Sequence, residues 1–293
     1  FMQADTIQLA NTVPMGSVIR KAYLFSLREI YDLGKTPQKD APITVKLNQN
    51  DIVIDSNSIV TPGFRNSNTS PFSFDYYWIT ANDVTDKVSF SNNTLITPCQ
   101  GCLITSDTSR NYAYITFYLL IVYENASSSP TNVAVFLNNK TYSTNIMYSL
   151  TSLNPINSNN DVGFALWTDH VYSVPPSIDV TSTYTLTSGL GNFYLGKLNA
   201  FAGTSGGGSY IYRKTLPGSF SYENNTLNGL VDDTPDLVVD STDALVNIKN
   251  MIPNNSSTLG INTAGNLFSN SGNLRVGFFF AYSTPCPARS FTD

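Results

Sequence analysis

The chain has 293 residues, of which 41% are hydrophobic and only 13% charged, and its formal net charge is −5 at pH 7. This length is near the limit for one hydrophobic core, so we expect two domains. With 16 Lys and Arg against 21 Asp and Glu, the chain lacks the basic surface that nucleic-acid binding requires.

The amino-terminal residues 1–14 are short, extended and amphipathic, because Ile7, Leu9 and Val13 alternate with polar residues. One interpretation is a first edge strand of the chain's own sheet. The other is a donor strand that adds to the sheet of a neighbouring subunit. The chain begins with Phe1, which we interpret as the start of a mature chain after signal removal. The alternative is that Met2 is the initiator and follows one leftover residue.

The next segments have the composition and turn spacing of β-strands. A strand is predicted at 18–25, and 43–47 and 51–54 predict a hairpin around an Asn-rich turn. Short helical turns are expected within 25–33 and 242–251.

Two apolar runs dominate the chain, at 112–125 and 274–283. Both are rich in aromatic and β-branched residues and too short to cross a bilayer as helices. Each predicts a strand that is buried on both faces, and no membrane span is expected.

A weak internal repeat relates residues 74–123 to 236–282, since both contain a strand, an Asp/Thr corner, an Asn-rich turn and a final apolar strand. Residues 171–176 form the best linker candidate, because Pro175 and Pro176 cannot lie inside a central strand. We therefore predict an all-β fold of two tandem jelly-roll-like β-sandwiches, at residues 15–173 and 174–293.

Four motifs occur in the same order as in a known family: Ile19-Arg-Lys-Ala-Tyr-Leu-Phe, Ala41-Pro-Ile-Thr-Val-Lys-Leu-Asn48, Tyr77-Trp-Ile-Thr-Ala-Asn-Asp-Val-Thr-Asp86 and Leu119-Leu-Ile-Val-Tyr-Glu-Asn125. Residues 18–169 resemble an uncharacterised domain family of adhesin-like and surface-layer-associated proteins of methanogenic archaea. The resemblance implies a secreted β-sandwich with a cell-surface or adhesive role. It implies no catalytic residues.

The three cysteines are Cys99, Cys102 and Cys286. A Cys-X-X-Cys pair can be a redox site or half of a zinc site, but no second pair or His cluster completes a zinc set. We expect a disulfide, either within the pair or from one of the two to Cys286. The pairing stays open.

Calcium is the only cofactor that the acidic residues suggest, because carboxylate clusters at the ends of sandwiches can bind it. The densest cluster contains Asp232, Asp233, Asp236, Asp240 and Asp243. Its spacing does not match an EF-hand loop. Asp83 and Asp86 form a weaker counterpart at the first Asp/Thr corner.

Seven Asn-X-Ser/Thr sequons are candidates for glycosylation. They begin at Asn68, Asn92, Asn125, Asn139, Asn224, Asn254 and Asn255. The predicted elements place all seven in loops or turns.

No constellation of residues predicts an enzyme. The one histidine, His170, lies beside Asp169, but no nucleophile elbow accompanies it. The loop at 203–209 lacks the Gly-Lys-Ser/Thr ending of a phosphate-binding loop. The aromatic run Tyr76, Tyr77 and Trp78 could stack on sugars, although alternate members must face the core.

We expect a secreted structural protein that assembles with itself into an extracellular filament, pilus or sheath by β-strand addition. A monomeric adhesin or carbohydrate-binding module, with glycans as partners, is the alternative. A double jelly-roll viral coat protein is the third possibility.

Overall fold

A computed structural model describes residues 5–32, 42–61, 64–66, 74–97, 113–141, 145–174, 180–200, 208–216, 219–230, 247–265 and 273–285. Strands and two 3₁₀ turns, Ser56–Ser58 and Lys249–Met251, make up the regular structure of these ranges. The strands are β1 (Asp5–Thr12), β2 (Val18–Asp32), β3 (Ile43–Leu47), β4 (Asn50–Ile54), β5 (Phe64–Asn66), β6 (Phe74–Asp83), β7 (Ser91–Thr97), β8 (Ala113–Glu124), β9 (Asn132–Thr141), β10 (Asn145–Leu150), β11 (Val162–Val174), β12 (Val180–Ser188), β13 (Gly191–Ala200), β14 (Gly208–Leu216), β15 (Ser219–Glu223), β16 (Thr226–Leu230), β17 (Leu259–Gly265) and β18 (Asn273–Tyr282). The predicted all-β class is confirmed.

In the described ranges, the fold consists mainly of four antiparallel sheets of four strands each. In strand order, sheet I is β1-β7-β3-β4, sheet II is β5-β6-β2-β8, sheet III is β14-β11-β18-β9 and sheet IV is β10-β17-β12-β13. Strands β15 and β16 form a separate hairpin. Each sheet presents alternate residues to a neighbouring layer, as the pleat of a strand requires.

Sheets I and II enclose the first core. Ala22 and Leu24 of β2 are buried against Ile43, Val45 and Leu47 of β3. The hairpin of β3 and β4 turns at Asn48 and Gln49, whose φ angles of 49° and 70° are the left-handed pair that a type I′ turn requires. The hairpin predicted there is confirmed.

Sheets III and IV enclose the second core, which is richer in aromatic residues. Phe278, Phe280 and Tyr282 of β18 point into it and are at most 1% exposed. Tyr184 of β12 and Ile261 of β17 face them from sheet IV. The same alternation therefore builds both sandwiches.

A third apolar cluster joins sheet II to sheet III. Phe279 of β18 is 2% exposed and packs with Phe25, Ile79 and Ala165. Its ring stacks on that of Tyr118 at 4.1 Å between centroids and meets that of Phe25 edge-on at 5.6 Å. The four sheets are consequently layered I, II, III and IV, and β18 is buried on both faces as predicted.

The strand pairing does not follow the expected boundary between 15–173 and 174–293. Strand β9 pairs with β18, β10 pairs with β17, and β11 pairs with both β14 and β18. These pairings place β9, β10 and β11 in sheets III and IV. The chain therefore passes from the first sandwich to the second in the connection between β8 and β9. The jelly-roll topology stays a prediction.

The prediction of a helical turn within 25–33 is wrong for residues 25–32, because β2 continues through them to Asp32. Residues up to Asp32 pair with β6, and residues up to Ile30 pair with β8. Hydrogen-bonded neighbours on both sides override the helix-like spacing of this segment. Of the turn expected at 242–251, the described part contains the 3₁₀ turn Lys249–Met251.

Candidate functional site: the amino-terminal strand

Strand β1 lies at the edge of sheet I and pairs with β7 of its own chain. The pairing is antiparallel, with Ile7 opposite Leu95 and Leu9 opposite Asn93, and its register shifts between Leu9 and Thr12. The segment therefore completes its own sheet in this structure. Insertion into a neighbour's sheet stays a prediction.

Of the three apolar side chains predicted to matter, two face the first core and the third is buried. Ile7 and Leu9 are partly buried and pack against it, whereas Val13 is 7% exposed. The amide of Val13 donates to the Phe90 carbonyl at 2.9 Å. Gln8 points the other way, and its amide oxygen accepts a hydrogen bond from the Thr94 hydroxyl at 3.0 Å.

The turn that follows β1, here called the hinge turn, comprises residues 14–17. Ser17 donates its amide to the Pro14 carbonyl at 3.1 Å, and Gly16 has a φ of +84°, which favours glycine. Met15 is 98% exposed. Gly16 is exposed as well, whereas Ser17 is buried and its hydroxyl oxygen accepts a hydrogen bond from Asn125. A change of direction at Met15 and Gly16 would therefore disturb few contacts.

Strand β7, which accepts β1, is held in place by two asparagines. Asn48 accepts a hydrogen bond from the Thr94 amide at 2.9 Å and donates to the Lys87 carbonyl at 2.9 Å. It also donates to the side chain of Asn93, which is fully buried. These bonds fix the accepting edge independently of β1, and the sequence interpretation missed them because it assigned Asn48 only to a turn.

The carboxylate of Asp83, proposed as a weak calcium ligand, is engaged by protein groups. Lys21 binds it, and Thr85 donates its hydroxyl at 2.6 Å and its amide at 3.1 Å. These bonds, with that of Lys21 the largest, lower its pKa to about 2. The Asp/Thr corner therefore ties β2 to β6.

Calcium binding at the larger acidic cluster stays a prediction, since residues 231–246 lie outside the described part. Within the described ranges, no group of three or more His, Cys, Asp and Glu residues could hold a metal ion. The three cysteines also lie outside these ranges.

A second ionic site lies where the β15–β16 hairpin meets the second sandwich. Asp161 accepts a hydrogen bond from Lys249 Nζ at 2.7 Å and from the Leu227 amide at 3.0 Å. The Tyr222 hydroxyl donates to the Asp161 carbonyl at 2.7 Å. The bond from Lys249, followed by that from Leu227, lowers the Asp161 pKa to about 2.

Replacing Asp161 with asparagine should lower the free energy of unfolding at pH 7 by about 1–2 kcal/mol. The folded-state pKa of Asp161 lies below its ordinary value of 3.8. Its contribution is therefore complete above about pH 4 and is lost as the pH falls through about 2. Urea unfolding at pH 7 and below about pH 2 checks this. The difference in the free energy of unfolding between Asp161→Asn and wild type should be present at pH 7 and disappear at the acidic pH.

Asp86→Asn is the matched control, since the Asp86 side chain is 81% exposed and lies 3.4 Å from Lys87 Nζ. We expect a change within about 0.5 kcal/mol at either pH. An equal loss of stability in the two variants at pH 7 would contradict the role assigned to Asp161.

The sequons do not all lie in loops. Asn92 lies in β7 and Asn139 in β9, so the predicted placement is wrong for these two. Asn125, just after β8, donates to Ser17 Oγ and accepts from the amide and hydroxyl of Ser127.

The remaining acceptors that the structure describes are exposed and lie in turns: Asn224, Asn254 and Asn255. Asn224 accepts from the Ser129 amide and Asn254 from the Ser158 amide, at 3.0 and 3.1 Å. Asn68 lies outside the described residues. Glycan attachment stays a prediction.

His170 lies in β11, opposite Tyr212 of β14 and Leu274 of β18. Tyr76, Tyr77 and Trp78 lie in β6 and pair with residues of β2. Each of these residues is therefore assigned to a strand. The sugar-stacking role of the aromatic run stays a prediction.

Comparisons with known proteins leave the chain without an assigned family. No family model matches it, and no curated protein does. It is similar to the T13 viral particle of infectious bursal disease virus, at 9% identity over 97% of this chain and 73% of the viral one, with a TM-score of 0.22. The VP2 subviral particle of the same virus gives 10% identity over 97% and 77%, with a TM-score of 0.20.

TM-scores this low carry no inference about fold or function. In the part of the chain that the structure describes, there is also no helix with the length and hydropathy of a membrane span.

Proposed function

We propose that this chain is an extracellular structural subunit that polymerises by exchanging β1 between copies. In this proposal, β1 leaves its own β7 and pairs with β7 of the next subunit. Main-chain hydrogen bonds supply strength, while Ile7, Leu9 and Val13 occupy the same apolar positions in the neighbour.

The observation that carries the proposal is that β1 is an edge strand with core-facing side chains, followed by a hinge turn in which Met15 and Gly16 are exposed. Exchanging such a strand preserves its pairing and its apolar contacts. The closed monomer and the polymer therefore differ in free energy only through the conformation of the hinge turn and the entropy of association. The balance between closed monomer and polymer then depends on protein concentration. Head-to-tail exchange produces open filaments, since nothing requires it to close a ring.

The polar, weakly charged composition supports an extracellular location. Only 13% of residues are charged, about half the usual share. Asn, Ser and Thr provide the hydration that charged residues provide in most cytosolic proteins.

Negative-stain electron microscopy of the purified chain, beside light scattering, tests the proposal. We expect ordered fibres or sheets whose mass per particle rises with concentration. A monodisperse species near 32.1 kDa at every concentration would contradict it and favour a monomeric adhesin.

A further inference from the structure

The outward face of sheet IV carries neutral side chains on all four strands. One row crosses the sheet in register: Met147 of β10 lies opposite Asn262 of β17, Asn262 opposite Thr185 of β12, and Thr185 opposite Tyr194 of β13. The rows on either side add Asn145, Ser149, Gly260, Ala264, Thr183, Thr187 and Asn192. We call this set the neutral face.

The neighbours of these residues along each strand point into the second core, which fixes the orientation of the row. Ile146 and Tyr148 flank Met147, Ile261 and Thr263 flank Asn262, and all four are at most 5% exposed. Tyr184 and Leu186, on either side of Thr185, are fully buried. The row itself therefore lies on the opposite face of the sheet, where Met147 is 49% exposed.

The neutral face contains no Asp, Glu, Lys, Arg or His residue. The outer face of sheet I differs, because Lys46 and Asp51 form an ion pair there at 3.1 Å. Lys197, opposite Thr183, marks the end of the neutral face. A charged polymer would therefore find no complementary charge on this row.

The hydroxyl and amide groups of the face are ordered by one another. Thr183 donates to the Ala264 carbonyl at 3.0 Å, and Thr187 donates to Asn192 Oδ1 at 2.8 Å. These bonds leave oxygen lone pairs that can accept from a ligand. Tyr194, 43% exposed, adds an aromatic ring at the edge strand.

At the centre of the row, the amide oxygen of Asn262 is buried and has no hydrogen-bond partner. A buried acceptor of this kind is costly unless a donor reaches it. Met147 lies directly opposite, and its flexible thioether chain can turn aside to admit a hydroxyl group.

We propose that the neutral face binds an uncharged polysaccharide. Sugar hydroxyls supply donors and acceptors to the Asn and Thr side chains, and a sugar ring packs on Tyr194, whose combination of apolar ring and polar hydroxyl suits such a surface. The four strands give a platform about 14 Å wide. That is enough for more than one sugar ring.

A second copy of this chain fits the face less well. The large apolar side chains exposed on it are Met147 and Tyr194. The core of a stable protein interface needs a wider apolar area, because bringing two such faces together would bury rows of hydroxyls and amides that lack partners. This proposal is independent of β1 exchange, since sheet IV does not contain β1.

The test uses the full chain with insoluble cellulose and chitin and with soluble mannan, and heparin as the charged comparison. We expect retention on at least one neutral polymer that persists in about 0.5 M sodium chloride. Tyr194→Ala should weaken it about tenfold, and Tyr194→Phe should restore most of it. Thr185→Val, which keeps the shape and strand preference of the side chain, should weaken it by a smaller factor.

Leu190→Ala is the control, because Leu190 is 57% exposed in the turn between β12 and β13. It should bind as wild type does. No retention of wild type on any neutral polymer, undiminished retention of both Tyr194→Ala and Thr185→Val, or salt-sensitive binding to heparin alone would overturn the proposal. A loss of self-association in Tyr194→Ala without any polysaccharide binding would also overturn it and assign the face to a second copy.

Discussion

Leu9→Asp should abolish ordered assembly while leaving the second sandwich folded. Leu9 packs against the first core and lies opposite Asn93 of β7. A carboxylate at this position would lose its hydration without gaining a partner, so β1 would leave the groove of any subunit, its own or a neighbour's. Electron microscopy should show no fibres, and the near-ultraviolet signal of the aromatic second core should persist.

Gln8→Asp is the matched control, because it places the same charge one residue earlier on the solvent side of β1. Gln8 is exposed, and its described partner is the Thr94 hydroxyl. We expect assembly to continue with little change in stability. Fibres from Leu9→Asp as abundant as those of wild type would contradict the role of β1.

Phe279→Ala should lower the free energy of unfolding by about 3–5 kcal/mol, the usual cost of removing a buried phenylalanine. Phe279 is 2% exposed and joins sheets II and III through its contacts with Tyr118 and Phe25. Its loss would leave a cavity between the two sandwiches. Urea unfolding should therefore change from one transition to two, as the sandwiches lose their coupling.

Phe90→Ala is the control for this variant, since Phe90 is 49% exposed and its carbonyl, which accepts from Val13, is retained. It should change stability by less than about 0.5 kcal/mol. A Phe279 variant that unfolds at the wild-type urea midpoint would show that the contact between sheets II and III contributes little.

Local sequence patterns predicted where strands lie better than which strands pair with each other. Two positive φ angles at Asn48 and Gln49 follow from the Asn-type turn, so the β3–β4 hairpin was accessible from sequence. The double burial of β18 was accessible as well, because four aromatic residues and few charges leave neither face polar.

The boundary between the sandwiches could not be predicted from composition. Residues 171–174 of the predicted linker belong to β11, and Pro175 and Pro176 lie outside the described residues. A break between strands, as two prolines predict, does not determine which sheet each strand joins. Strand β11 ends at Val174 and pairs along its length with β14 and β18, which follow it in sequence. Pairing over such distances depends on the fit of whole faces, which the sequence records only weakly.

The candidate site was predicted in part. The alternation of apolar and polar residues predicted that Ile7 and Leu9 face a core, but it could not identify that core as their own. The Asn48 and Asn93 bonds that hold the accepting strand were not predicted. The local sequence around a turn asparagine is the same whether or not its side chain binds a distant strand.

A designed disulfide between β1 and β7 tests the exchange most directly. Gln8 and Thr94 lie directly opposite each other on the solvent face, at a spacing of strand pairs that a disulfide can span. Gln8→Cys and Thr94→Cys would be combined in a chain whose Cys99, Cys102 and Cys286 are replaced by serine, with each single substitution as a control. After oxidation of assembled protein, a non-reducing denaturing gel should show a ladder of covalent oligomers that reducing agent returns to one band. A single monomer band from fully oxidised, assembled material would place β1 in its own subunit and contradict the exchange.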